Sequence, residues 1–249
     1  MKNIFQNPNS KNSGAARRGA FTLVELLVVI SIIAVIAGFT LVAVGSTGRV
    51  RKISVAQGEL KTIEVALENY HAKYGVYPPG NQNPVNTYSP IDRALFSQLY
   101  YELSGTKITT VGGVSYFYTL DDDARSSVKV SEVGSAYGVG GFLNCTKGGG
   151  EEVATAKNFL PGLKSQQINR QVTNKYIVPV TTTMLVTSVG GPDDTYTPLG
   201  ASGLNPFRYV YPGTNNVGSY DLWVELVIKG KTNLVCNWSK SVINNSSMP

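Results

Sequence analysis

Histidine occurs once in these 249 residues, at position 71, and cysteine only twice, at 145 and 236. With a single imidazole, Ser–His or Cys–His activation would have to pass through His71. That residue lies between Tyr70 and Ala72 in a helical pattern and reads as a packed or half-exposed side chain rather than a base. The GxSxG, HExxH and phosphate-loop patterns are missing, and the glycines at 148–150 have no Lys-Ser/Thr after them. No catalytic constellation can be assembled, so a non-enzymatic protein is expected. The cysteines have neither CxxC spacing nor a nearby histidine, which argues against zinc. They leave open one disulfide, Cys145–Cys236, in an extracytoplasmic body, or two buried thiols. Charge is scarce as well, at 15% of residues. Gly, Thr, Ser, Asn and Tyr are plentiful instead, which favours a loop-rich β-containing body over a helical bundle.

Acidic residues are missing altogether from 1–20, MKNIFQNPNSKNSGAARRGA. Four of the 22 basic residues lie there, Lys2, Lys11, Arg17 and Arg18, and the other 18 face 16 acidic ones. Bulk charge therefore gives no case for a nucleic-acid partner, and none is expected. An ordinary secretory signal places its apolar core before a small-residue cleavage site. Here the apolar run follows Gly19 and Ala20 directly. It extends over the 24 residues from Phe21 to Val44, interrupted by one ionisable group, Glu25. At 1.5 Å per residue that is roughly 36 Å of helix, enough to cross a bilayer with some tilt. Arg49, Arg51, Lys52 and Lys61 on the far side balance the four leader cations, so flanking charge does not set the orientation. A carboxylate five residues into such a helix costs on the order of 2–4 kcal/mol to insert. It either snorkels to the interface or marks a positive partner.

The segment RRGAFTLVELLVVISIIAVIAG resembles the class III leader and N-terminal helix of type IV pilins and type II secretion pseudopilins. The resemblance implies that a membrane prepilin peptidase cuts between Ala20 and Phe21 and methylates the new amino terminus of Phe21. It also implies that Glu25, then the fifth residue, pairs with the N-terminus of an adjacent subunit. Cutting after Gly19 would make Glu25 the sixth residue, so the Ala20–Phe21 bond fits the register. Two departures stand out: Gly is the usual residue before the cut, and many members have a helix-kinking Pro where this chain has Val42. Gly38, Gly45 and Gly48 can loosen the helix in its place.

Helical periodicity continues beyond Val44. Ile53, Ala56, Leu60, Ile63, Leu67, Tyr70 and Tyr74 recur at spacings of 3 and 4, which predicts one apolar stripe ending at Gly75 before a Tyr77-Pro78-Pro79-Gly80 turn. SPIDRALFSQLYYELSG predicts one short helix, with Ser89 as N-cap, Pro90 first and Gly105 past the end. From Lys107 to Val133 the pattern is β-like, with a break at Gly112-Gly113. Residues 134–150 read as a Gly-rich loop. NKYIVPVTTTMLVTSV reads as one or two strands, with Pro179 on an edge. NPFRYVYPGTNNVGSYDLW predicts a hairpin, Phe207–Tyr211 turning through Pro212-Gly213 into Tyr220–Ile228.

LKTIEVALENYHAKYGVYPPGN and the 205–223 hairpin also resemble major pseudopilins. Such proteins often hold calcium in the loop after the hairpin, using clustered aspartates. The equivalent IKGKTNLVCNW has no acidic residue, so calcium is not supported there and no cofactor is expected. Asp121-Asp122-Asp123 and Asp193-Asp194 read as turn residues. The expected architecture is α+β and pilin-like, a long N-terminal helix with a transmembrane first half packed on an antiparallel β-sheet head. Its parts are a leader at 1–20, a membrane or filament-core helix at 21–44, and a head at 45–249 that includes the amphipathic helix 45–74. The resemblance implies a structural subunit of a type II secretion pseudopilus, or alternatively a type IV pilus subunit. Its expected partners are like subunits, prepilin peptidase, an inner-membrane assembly platform and the membrane. The expected placement is single-pass in the bacterial inner membrane, with an extracytoplasmic head. A tethered adhesive protein using residues 85–200 is a third reading.

Overall fold

A computed structural model describes residues 22–82, 90–121, 123–147, 155–173, 180–189, 205–228 and 230–244, without the side chains of 38–47, 90–92 and 170–173. The chain divides into two compact units, Met1–Thr47 and Gly48–Pro249. The first contains the start of helix α1 (Leu23–Tyr74). Its large apolar side chains from Leu23 to Ile36 are all exposed, Leu23 by 78%. Ser31 turns its hydroxyl back to the Leu27 carbonyl at 2.7 Å, so its polar group is satisfied within the helix. Among the described residues no helix is long and apolar enough to cross a membrane. The expected span 21–44 falls partly outside them.

In the second unit α1 buries the stripe that its spacing predicts. Ala56, Leu60, Ile63, Leu67 and Tyr70 are buried, and Ile53 and Tyr74 pack against the same core. The helix ends where Gly75 takes a left-handed φ of 73° and returns its N–H to the His71 carbonyl.

The stripe packs with a four-stranded sheet of order β10-β9-β8-β7, made from β7 (Arg208–Val210), β8 (Asp221–Ile228), β9 (Lys231–Cys236) and β10 (Ile243–Asn244). β7 and β8 form the predicted hairpin, with Arg208 opposite Trp223. Leu222, Val224 and Leu226 join the helix core, while Trp223, Leu234 and Cys236 form a second cluster with Ala94. β8 is thus buried on both faces. The second face also holds a buried ion pair, Arg208 Nη2 to Glu225 Oε2 at 3.5 Å.

The middle of the chain covers this body with short elements. The single helix expected over 89–105 is two, α2 (Pro90–Leu95) and α3 (Leu99–Ser104). The break has a packing cause. Leu95 and Phe96 insert beside Met184 and Val186, whereas Leu99, Tyr100 and Leu103 belong to the main core. One straight helix could not serve both. Ser89, the expected N-cap, lies outside the described residues.

Strands β1 (Thr106–Val111) and β2 (Val114–Thr119) form a hairpin closed by Gly112 and Gly113, at φ of 59° and 80°. Glycine enters both conformations without steric cost, and the two-residue turn matches the strand twist. β3 (Val128–Lys129) and β4 (Cys145–Thr146) flank it in the order β3-β2-β1-β4. The β-like reading fails at Val130, where α4 (Val130–Tyr137) begins. Its buried Val133, Ala136 and Tyr137 share one helical face, and Gly138 ends it in the left-handed region. β5 (Ile168–Thr173) and β6 (Thr181–Leu185) form a separate antiparallel pair. Pro179 lies outside the described residues.

Candidate assembly site

The first turn of α1 is held by a reciprocal pair. Glu25 Oε2 accepts the Thr22 backbone N–H and the Thr22 hydroxyl, both at 2.8 Å, and the Glu25 N–H donates to Thr22 Oγ1 at 3.2 Å. This is a capping box, Thr-x-x-Glu, which satisfies donors that a helix start leaves open. The carboxylate also lies at the positive end of the helix dipole, where negative charge is favoured. In the sequence Glu25 stands out as the lone carboxylate of an apolar run, and the three-residue spacing from Thr22 is the signal for the cap. Ala20 and Phe21, the expected cleavage and methylation positions, lie outside the described residues.

Three polar fastenings tie α1 to its own head. Arg49 donates to Asn233 Oδ1 at 2.8 Å and to Asn244 Oδ1 at 2.8 Å. Glu59 accepts the Thr187 hydroxyl at 2.6 Å, together with the Ser188 N–H and hydroxyl. The third is buried. Glu102 of α3 accepts the Tyr70 hydroxyl at 3.0 Å and the Leu143 and Asn144 N–H groups at 2.9 Å. Asn144 in turn accepts the Tyr74 hydroxyl at 2.7 Å and the Lys157 N–H at 2.9 Å, and donates to the Glu102 and Lys157 carbonyls. Burial pushes the Glu102 carboxyl above its ordinary range, against the pull of its three donors.

The loop between β7 and β8 is organised by Asp221. Its Oδ2 accepts the Thr214 and Asn215 N–H groups at 2.8 Å, and its Oδ1 accepts the Asn216 N–H at 2.9 Å. Burial pushes this carboxyl up, but the N–H donors of 214–216 outweigh it and hold it below the usual range. Among the described residues no group of three or more His, Cys, Asp or Glu side chains could hold a metal ion. Asp123 accepts the Arg125 N–H at 3.0 Å, as a turn residue would. Asp122, Asp193 and Asp194 lie outside the described residues. His71 stacks on Tyr77 with ring centroids 4.3 Å apart.

The disulfide left open for Cys145 and Cys236 is not formed, and both are free, buried thiols. Cys145 belongs to the helix core and Cys236 to the cluster on the opposite face of the sheet. Burial raises both thiols above their ordinary range.

Residues 15–41 match the family described as the prokaryotic N-terminal methylation motif. No curated protein and no solved structure matches the chain. The match brackets Ala20, Phe21, Thr22 and Glu25, and places the capping box inside the motif. Over residues 15–41 the chain carries the type IV pilin-like prepilin signal.

Proposed function

We propose that this chain is a structural subunit of a type II secretion pseudopilus. Prepilin peptidase cuts it between Ala20 and Phe21 and methylates Phe21. The subunit waits in the bacterial inner membrane as a single-pass protein, with its head on the extracytoplasmic side. Glu25 then pairs with the amino terminus of a neighbouring subunit, and an inner-membrane assembly platform adds subunits to a growing filament. Neither a metal nor a cofactor takes part.

One observation carries this reading. The methylation motif matched at 15–41 spans Ala20, Phe21 and Glu25, and a cut at the Ala20–Phe21 bond would make Glu25 the fifth residue. Support for secretion over a surface pilus comes from the 205–223 segment, which resembles major pseudopilins and forms the β7–β8 hairpin packed with α1. A strain lacking this chain is the test. It is expected to lose export of folded proteins while keeping surface pili. Normal export with loss of surface pili would transfer the chain to the pilus reading. Intact mass spectrometry should give a methylated Phe21 terminus, and any other terminus would remove the proposed processing step.

A further inference from the structure

Between Leu26 and Gly58 the sequence contains no acidic residue, and none follows Glu225. The fold brings these two acid-free stretches together. Arg49, in the first turn of the second unit, bonds Asn233 of β9 and Asn244 of β10. Lys231 is two residues from Asn233, so its side chain leaves the same face of β9. Arg49, Arg51, Lys52 and Lys231 are all exposed, and none enters an ion pair with a described residue. Two sequence-distant segments thus build one pole of four cations that no described acidic side chain pairs with.

Arg49 follows Val44 by five residues, a chain distance of roughly 8 Å at helical rise. That is comparable with the polar layer of a bilayer, about 5–7 Å on each side of the hydrocarbon. We infer that this pole, Arg49, Arg51, Lys52 and Lys231, docks on acidic phospholipid headgroups. The inference rests on the membrane-anchored reading above. It explains why the apolar stretch has equal positive charge on both flanks. The leader cations are lost on cleavage, while these four stay and hold the head against the bilayer until the subunit is extracted.

The test uses residues 48–249, which contain the complete head core, prepared with an acetylated amino terminus so that no new cation is added. Binding to vesicles of phosphatidylcholine with about 30% phosphatidylglycerol is measured at low salt, where each cation near the surface contributes about fivefold. Replacing Arg51, Lys52 and Lys231 with Ser is expected to weaken binding about 100-fold. A control removing equal charge near the other end of the helix, Lys107→Ser with Lys147→Ser and Lys157→Ser, should leave it within a few-fold.

Equal binding to pure phosphatidylcholine would overturn the inference. So would an unaffected triple variant, a control as damaging as the variant, or tighter binding to a single-stranded oligonucleotide than to the acidic vesicles at the same salt. Because 48–249 lacks Glu25, any of these failures leaves Glu25-dependent assembly untouched.

Discussion

Replacing Glu25 with Gln separates the two roles that the carboxylate combines. Its Oε2 holds both Thr22 donors at 2.8 Å, and its N–H meets Thr22 Oγ1 at 3.2 Å. A glutamine carbonyl can occupy the same place, so the capping box survives and only the charge is removed. If capping were the whole role, even its complete loss would cost about 0.5–2 kcal/mol. If a neighbouring ammonium depends on the charge, leaving it unpaired in apolar surroundings costs about 3–5 kcal/mol. That corresponds to roughly two to three and a half powers of ten in the assembly equilibrium. Thr22→Val makes the opposite cut, losing the cap and keeping the charge, with an expected effect of about 2- to 30-fold. Pelletable filament is measured against subunit concentration for both variants, with membrane insertion checked by carbonate extraction. Insertion should be unchanged throughout, and Glu25→Ala and Glu25→Lys should abolish filaments as Glu25→Gln nearly does. Wild-type filament yield from Glu25→Gln would refute the pairing argument, as would a Thr22→Val defect equal to it.

Glu102→Gln should destabilise the head by about 1–3 kcal/mol, because an amide NH2 must face either the Leu143 or the Asn144 N–H. The wild-type carboxyl is raised by burial, so its advantage is fully present below the unfolded value and declines as pH rises through the folded value. Urea unfolding at pH 4 and pH 8 should show a larger gap between wild type and variant at pH 4, and a larger gap at pH 8 would contradict this. Asp221 runs the other way, since a depressed carboxyl stabilises above its unfolded value and loses that contribution as pH falls through the folded one. Asp221→Asn should therefore cost about 1–3 kcal/mol at neutral pH and progressively less in acid, measured by the same titration. Thiol titration should find Cys145 and Cys236 unreactive in the native head and two free thiols after denaturation. A native chain with no titratable thiol in denaturant would restore the disulfide.

The parts legible in the sequence are those fixed by local periodicity or local turn chemistry. The α1 stripe could be read because Ile53 through Tyr74 repeat at 3 and 4, and its end because Gly75 precedes Pro78-Pro79. The β1–β2 turn could be read because paired glycines between β-branched residues leave few alternatives. The break at Phe96 could not. Ile91, Leu95, Leu99 and Leu103 are spaced for one helix, and only the position of Met184 and Val186, nearly ninety residues later, divides them. α4 was hidden for a similar reason, since Val130, Val133 and Tyr137 serve strand or helix equally well until Gly138 is seen as a left-handed cap. Glu102 and Asn144 gave no local signal at all. Their importance arises from tertiary hydrogen bonds, and a buried carboxylate in LYYELS looks like any surface residue of a short helix.

Those two residues bear on how a head can stay fixed to its helix. An apolar stripe repeating every 3 or 4 residues packs almost as well after a slip of one turn, about 5.4 Å, because dispersion and burial carry little direction. Polar fastenings do carry direction. Arg49, Glu59 and the Tyr70–Tyr74 pair grip the head at three heights, with partners on β9 and β10, at 187–188 and on the Glu102–Asn144 hub. A one-turn slip breaks all three at once. At the hub it takes the Tyr70 and Tyr74 hydroxyls away from Glu102 and Asn144, at about 1–3 kcal/mol for each hydroxyl left buried without its partner. Hydrophobic burial therefore supplies most of the attachment energy, while the polar set chooses the register. In a filament whose helices form the core and whose heads tile the surface, that register decides where each head lies. Tyr70→Phe with Tyr74→Phe should accordingly leave the helix docked but broaden its register, seen as faster amide exchange at Leu143–Cys145 than a uniform loss of stability would give. Uniformly faster exchange across the whole head would show that the pair only adds stability.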